Sequence, residues 1–566
     1  MTEFFQDGPT LSNQYDDDRV LRSYLKRRLP ADILEKIEPG LRRLGERAVT
    51  DMLEMEADVN EHPPVHVPIG PWGHRVDRID VAEGWKRLED VAAEEGIVAT
   101  AYARREGGWS RVHQMTRLYL YHPSSAIFSC PLAMTDGAAR AIELYGDEEL
   151  KERAFRHLTS EDPETFWTSG QWMTERSGGS DVGGTETVAR LVDGEYRLYG
   201  TKFFTSATTS NMAMTLARIE GAPEGSRGLS LFYLELRDDK GALQNIRINR
   251  LKDKLGTRGL PTAELTLEGT PAKLVGGEGR GVAKIASLFN ITRIYNAICA
   301  VGYMRRGIAL ARDYAHKRKA FGKLLADHPL HLETLAEMQV EHEGAMHLTF
   351  RLSELLGRDE TGEATPAEAA VLRLLTPIAK LYTAKQAIAT ISEVLESFGG
   401  AGYMEDTGLP RLLRDAQTLS IWEGTTNVLS LDTLRAIQKE QAFAPFMKEL
   451  RDRLAGIQHP ELVEPAQRVL AAAERIEAYL PHAMGQGMEF VEAGARAFAF
   501  SLARTYTAGL LLEHAQWSAE VERDRRSLAV AIRWCAKDLA PLGEPEDGHR
   551  AASRALALDE ALVVEG

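Results

Sequence analysis

Between residues 166 and 282 the hydrophobic pattern of this chain changes period, and that change limits the folds open to it. The segments GEYRLYGTKFF (194–204), MAMTLARI (212–219), LSLFYLEL (229–236) and AELTLEG (263–269) are short and bounded by turn residues. In the last, Ala263, Leu265 and Leu267 fall on one face of a period-two pattern, as in a half-buried strand. Several such strands in about 110 residues predict a compact β domain.

On both sides the period is helical. RVLRSYLKRRLP places apolar and basic residues at helical spacing and stops at Pro30, and AARAIELYG (138–146) ends at a glycine, as helices often do. Between them HPPVHVPIGPWGH (62–74), rich in Pro and Gly, predicts a loop. From about 283, Ile294, Ile298, Val301, Met304 and Ile308 follow a three-or-four spacing. Further helices are expected over 330–357, 366–398 and 427–442, which suits a four-helix bundle. The remainder, 441–566, is again helical, with Ala-rich stretches such as VLAAAERIEAYL. The expected class is α+β in four domains: 1–165 helical with an N-terminal extension, 166–282 β-barrel-like, 283–440 a helical bundle, and 441–566 an additional helical domain.

The net charge of −15 and pI near 5.6 disfavour nonspecific attraction to nucleic acid or anionic lipid. Cys130, Cys299 and Cys535 lie too far apart for a disulfide framework or a CxxC metal pair, so a reducing cytoplasm and no metal site are expected. The start, MTEFFQDGP, has no signal-peptide pattern, and the apolar stretch AFAFSLARTYTAGLLL is broken by Arg504, so no membrane span is expected.

Four segments can carry chemistry. QWMTERSGGSDVGGTETVAR (171–190) holds four glycines within SGGSDVGG, a loop that lets backbone N–H groups approach a phosphate and that reads equally as flexible surface. It matches neither the Rossmann nor the P-loop spacing. KFFTS (202–206) sets two aromatic rings beside two hydroxyls; alone, it reads as core. HKRKAFGKLL (316–325) ends a long helix, where its basic cluster complements the macrodipole or grips phosphate through Arg318. In ESFGGAGYMEDTGLPRLLRDAQTLSIWEGTTNVLSLDTLRAI (396–437), FGGAGY ends one helix, and Thr425, Thr426 or Asn427 can cap the next. The apolar face of that next helix would include Val428, Leu431, Leu434 and Ile437. Glu423 stands just ahead of this helix; on the segment alone it reads as a carboxylate favoured by the helix dipole.

Taken together and in order, these segments resemble the acyl-CoA dehydrogenase family of flavoproteins over roughly 100–440. RLKDKLGTRGLPTAE (250–264), the form IWEGTTN, and an N-terminal extension containing GHRVDRI are most similar to the AidB-like branch and the related long animal enzymes. The resemblance implies the family fold with an extra C-terminal helical domain, FAD as cofactor, and a fatty acyl-CoA as substrate. Glu423 would remove the α proton while the β hydrogen leaves as hydride to flavin N5, giving a trans-2-enoyl thioester. It implies flavin contacts from Gln171, Met173 and Thr174, and contacts near the pyrophosphate and thioester from Gly179 and Ser180. Phe204 would supply an aromatic wall and Ser206 a hydroxyl beside N5. Arg318 and Phe321 would reach the dinucleotide of a neighbouring subunit, with Gly399 and Gly400 on the pyrophosphate and Thr425 and Asn427 near the helix start. Substrate contacts would come from Ser180, Arg293, Trp422 and Gly424. The alternative base position of the family falls on Thr292, which cannot serve. Phe204 replaces the usual tryptophan and Trp422 the usual tyrosine. Family analogy further implies electron-transferring flavoprotein as acceptor and a homotetramer built as a dimer of dimers. Two other readings are a DNA-associated alkylation-response flavoprotein and a low-turnover acyl-CoA binder. Residues 441–566 hold 14 basic against 19 acidic side chains, which argues against DNA binding.

Overall fold

The computed structural model describes residues 6–542 and 551–562. Two compact units divide the chain: Met1–Gln339, Ser353–Glu363 and Thr383–Glu423 form the first, and Val340–Leu352, Ala364–Tyr382 and Gly424–Gly566 the second.

The first unit opens with helices α1 (Arg19–Arg28), α2 (Ala31–Arg47) and α3 (Asp51–Glu61). Asp18 caps α1 by accepting the Leu21 N–H at 2.9 Å, and Lys26, Arg27 and Arg28 close its last turn, each end matching the dipole. The loop expected at 62–74 is instead half of a hairpin, β1 (Val65–Ile69) with β2 (Arg75–Asp80). Its register shifts between Val67 and Ile69, so Pro68, which has no N–H to give, falls at the irregularity. Helices α4 (Glu83–Glu94), α5 (Ala99–Ala103), α6 (Ser110–Tyr121) and α7 (Ser129–Tyr145) follow, then the short turns α8 (Glu148–Leu150) and α9 (Arg156–Leu158). Helix α7 does end at Gly146, but in extended backbone; a Cβ there would meet Ile142 O at 2.6 Å, so close approach selects the glycine.

Strands β3 (Ser169–Trp172), β4 (Val188–Val192), β5 (Glu195–Ser206), β6 (Met212–Ile219), β7 (Leu229–Glu235), β8 (Ile246–Leu251) and β9 (Thr262–Val275) make one sheet. Its order is β3-β6-β4-β5-β9-β7, with β8 on β9, and β6 also pairs β7, which closes the sheet on itself. Trp172, Leu198, Phe232, Ile248 and Leu265 share one core cluster. Met173, Met214, Leu216 and Leu231 share another with Ala138 and Ile142 of α7 and with Ile285 and Leu288 of the next helix. That helix, α10 (Gly281–Ala315), is buried around most of its circumference. It is the one helix among the described residues long and apolar enough to cross a membrane, and most of its apolar stretch is buried within the fold. A two-residue hairpin, β10 (Lys319–Ala320) and β11 (Lys323–Leu324), follows it. Helices α11 (Pro329–Glu360) and α12 (Pro366–Ser397) each divide their length between the units; in the first, Met338 and Val394 cluster with Ile308, Tyr314 and Leu409, the last from α13 (Leu409–Leu419).

In the second unit α14 (Thr426–Glu440), α15 (Phe443–Ala455), α16 (Val463–Gly485), α17 (Met488–Trp517) and α18 (Arg526–Cys535) surround a core that includes Phe446, Leu502, Tyr506 and Trp534. A further helix, α19 (Ala551–Leu558), closes the described chain. Trp534 fills the space over Gly344, where a Cβ would clash with its ring. Arg504, expected to interrupt an apolar run, donates to Tyr382 Oη at 3.0 Å and to Asp538 O at 2.8 Å. The buried face of α14 is not the one expected. Leu429 and Leu434 are buried with Thr426, Ser430, Thr433 and Ala436, while Leu431 is exposed and Val428 and Ile437 are half-buried.

Candidate active site

Helix α13 leads into the turn that carries Glu423. Ile421 and Trp422 N–H both donate to Thr418 O, at 2.9 and 3.1 Å. Asn296 of α10 clamps this turn from below: its Nδ2 donates to Leu419 O at 2.8 Å, and its Oδ1 accepts Trp422 Nε1–H at 2.9 Å. Glu423 then takes φ +57°, a left-handed conformation uncommon for a residue with a Cβ. Thr292, one turn before Asn296 on α10, donates its hydroxyl to Glu423 Oε2 at 2.6 Å. Arg293 Nε donates to Glu423 O at 3.4 Å. No acceptor for the Glu423 N–H appears among the described residues. One face of α10 therefore fixes both the carboxylate and the backbone that bears it. Thr292, excluded as a base from sequence, is its hydrogen-bond donor. The signal that could have found this pair is the spacing of Thr292 and Asn296, four residues apart and so on one side of a helix.

The second unit holds the next three expected residues, Gly424, Thr425 and Asn427. Gly424 adopts φ +102°, and Lys380 Nζ donates to its carbonyl at 2.7 Å. Thr425 occupies the cap position of α14 with extended backbone but makes no side-chain cap bond, and Thr425 and Asn427 are both exposed.

The residues expected along a flavin lie in the first unit, on and after β3 and β5. Gln171 Oε1 is buried with no hydrogen-bond partner, Met173 is buried, and Thr174 is half-buried with its carbonyl accepting Phe203 N–H at 2.9 Å. The glycine-serine loop is anchored by Glu175. Its carboxylate accepts from Lys202 Nζ at 2.6 Å, Thr187 Oγ1 at 2.5 Å and Glu186 N–H at 2.6 Å. Burial pushes Lys202 below its ordinary range, while the Lys202 charge and these donors hold Glu175 low against its own burial. Gly179 and Ser180 remain exposed, and Asp181 accepts Gly183 N–H at 3.1 Å. A Cβ on Gly179 would sit 2.7 Å from Thr174 Oγ1, so a larger residue there would force the Thr174 side chain to move. Phe204, expected as core on its own, is 44% exposed, whereas Phe203 lies under Lys252 Nζ, 3.3 Å from its ring centroid. Ser206 Oγ lies 3.4 Å from Thr262 Oγ1. Arg318 donates to Gln6 Oε1 at 3.2 Å, and Phe321 at the hairpin turn is 98% exposed. Gly399, at φ +60°, and Gly400 have open space where a Cβ would stand.

A buried amide oxygen with no partner, an aromatic ring turned outward and two unobstructed glycines suit a large, ring-bearing phosphate ligand. The comparisons agree. The chain matches the Adaptive response protein AidB N-terminal domain over 9–164, the acyl-CoA dehydrogenase middle domain over 170–270, and the acyl-CoA dehydrogenase C-terminal domain over 279–438. Residues 441–564 match the Acyl-CoA dehydrogenase 11 C-terminal domain-like family. Fold, site and these matches define a flavoprotein oxidoreductase that takes FAD. Acyl-CoA dehydrogenase family member 11 of Caenorhabditis elegans is 44% identical over 550 residues, covering 94% of this chain and 89% of that one. AidB of Escherichia coli (strain K12) is 32% identical over 419 residues, 72% and 76% of the two chains. Among solved structures, nematode ACDH-11 in complex with C11-CoA superposes with a TM-score of 0.95 at 42% identity over 100% of this chain and 98% of that one. The apo form of Bd2924 gives 0.84 at 57% identity over 90% and 100%. The chain belongs to the acyl-CoA dehydrogenase family, in its AidB-like branch.

Proposed function

We propose that this acyl-CoA dehydrogenase converts a fatty acyl-CoA to its trans-2-enoyl thioester, with Glu423 as the base. The observation that carries the reading is the Thr292–Glu423 hydrogen bond at 2.6 Å, which presents a fixed carboxylate at a turn whose own N–H is free of other acceptors among the described residues. Glu423 takes the α proton. Its N–H donates to the thioester oxygen as charge gathers there, and the rigid turn set by Asn296 and Trp422 means that little reorganisation is needed at that moment. Gln171, Met173, Thr174, Gly179, Ser180, Phe204, Ser206, Gly399 and Gly400 would hold FAD, and Arg293 and Ser180 would face substrate. Bound FAD supplies the acceptor for the β hydrogen, taken as hydride. The complex of the nematode relative with C11-CoA favours a fatty acyl chain of about that size class as the first to try.

The test is anaerobic mixing with acyl-CoA thioesters of graded chain length. The flavin absorbance is expected to bleach with the preferred chain, and Glu423→Gln to slow bleaching by about 10⁴-fold or more. Tight binding without bleaching by any chain would overturn dehydrogenation in favour of an acyl-CoA binder. Electron-transferring flavoprotein as acceptor, cytoplasmic residence and a homotetramer remain part of the proposal. The outward Phe321, Leu330 and Tyr403 of the first unit, 98%, 81% and 89% exposed, supply apolar surface for a second copy. DNA association finds no support in the acidic balance of 441–566.

A further inference from the structure

Lys254 takes no part in the reaction as proposed, yet it is set where a side chain with three N–H donors needs a reason. It lies in the segment RLKDKLGTRGLPTAE, half-buried, and its ammonium donates to two neutral oxygens, Leu260 O at 2.7 Å and Thr262 Oγ1 at 3.0 Å. No carboxylate lies within ion-pair distance of it among the described residues. Burial pushes Lys254 down to about 8, against the pull of Cys130 and Asp415. Those are the titratable groups that face it. Cys130, on α7, is itself pushed far up by burial. Asp415, on α13, is engaged by Thr257 N–H at 2.6 Å, by Arg411 at 3.4 Å and by Tyr303 Oη at 3.5 Å. From Thr262 Oγ1 the line of hydroxyls continues to Ser206 Oγ at 3.4 Å, while the hydroxyl of the adjacent Thr205 is engaged elsewhere, donating to Ala263 O at 2.8 Å.

We propose that Ser206, Thr262 and Lys254 form a proton path from flavin N5 to solvent, used when the reduced cofactor is reoxidised. The proposal rests on the FAD assignment and on Ser206 standing beside N5. In this step the N5–H bond breaks, and two electrons leave one at a time to a one-electron carrier. Ser206 Oγ accepts the proton and passes its own to Thr262 Oγ1. Thr262 passes its proton to the neutral Lys254 amine, and the resulting ammonium, at the end of a half-buried side chain, releases a proton to water. Only the neutral amine can accept, so the path conducts above the lysine's folded value and closes below it.

The test reduces the holoenzyme with dithionite, so that no acyl-CoA is involved, and follows reoxidation by ferricenium in H2O and D2O from pH 6 to 10. In the wild type the rate is expected to rise with pH through about 8 and to carry a solvent isotope effect. Lys254→Met and the near-isosteric Thr262→Val are expected to slow it about tenfold or more and to flatten the pH profile. Lys254→Arg keeps the charge but not a proton that leaves, so it should resemble Lys254→Met, and added methylamine should restore Lys254→Met in part. A second readout needs no turnover: in protein labelled with 13Cε-lysine, one resonance should titrate near pH 8 and vanish in Lys254→Met. If both Met and Val variants, with full flavin content, reoxidise at the wild-type rate with the same isotope effect, the path is wrong while the acyl-CoA reading stands. If the protein takes no flavin, the reading beneath it is what has failed.

Discussion

Thr292 and Glu423 are 131 positions apart in sequence and 2.6 Å apart in space. A hydroxyl donor to a carboxylate contributes about 1.5 kcal/mol, and here it also selects one rotamer of the base. Thr292→Val is therefore expected to slow substrate bleaching about tenfold, with Thr292→Ser close to wild type. Stopped-flow absorbance at saturating acyl-CoA measures both. A second prediction concerns Glu175. Lys202 is fully buried against it, so Glu175→Ala strands a buried ammonium and should cost about 3–5 kcal/mol, whereas Lys202→Met, which leaves the carboxylate with the Glu186 N–H and the hydroxyl and N–H of Thr187, or with a proton, should cost less. Calorimetry of the two variants ranks them. Glu423, Ser206, Phe204 and the glycines could be singled out from sequence because a linear motif carries them. Thr292 and Asn296 were not legible as its supports. Their role exists only once α10 lies against the turn after α13, and nothing in the local pattern of either segment announces the other.

At the level of elements, legibility followed the strength of the period. Strands β5, β6 and β7 are long, apolar and punctuated by turns, and their positions follow closely from sequence, whereas β9 begins where expected but runs on past 269 to Val275. Strand β4 keeps a single fully buried residue, Ala189, and β8 buries only Ile246 and Ile248 before its alternation breaks at Arg250, so each carries too short a pattern to read. The β1–β2 hairpin hides behind its prolines, and the face of α14 was misplaced because it buries Thr426, Ser430 and Thr433, which no hydrophobic pattern counts. Helix packing yields its own prediction. Gly137 of α7 admits α10 so closely that a Cβ would stand 2.5 Å from Leu288 Cγ. Gly137→Ala is expected to lose about 1–3 kcal/mol through overpacking despite the better helix propensity of alanine, read as a fall in melting temperature.

For the whole molecule, the chain folds as two compact units, and a single unfolding free energy is not the natural description of its stability. Trp534 is completely buried in the second unit, with Nε1–H donating to Arg504 O at 3.1 Å. Trp534→Ala is expected to remove about 3–5 kcal/mol from that unit. Scanning calorimetry with hydrogen exchange should place the lost protection within 424–542 while strands β3 and β5 of the first unit retain theirs; uniform loss across both units would contradict it. The left-handed backbone at Glu423 has a consequence for descent as well as for chemistry. Glu423→Ala and Glu423→Gly both remove the carboxylate and its hydrogen bond, so their difference isolates the φ of +57°, and the glycine protein should be the more stable by about 1 kcal/mol. A lineage that no longer needed the base would gain by drifting to glycine at this position. The residue at 423 in any descendant of this chain therefore reports whether selection still asks for a carboxylate there.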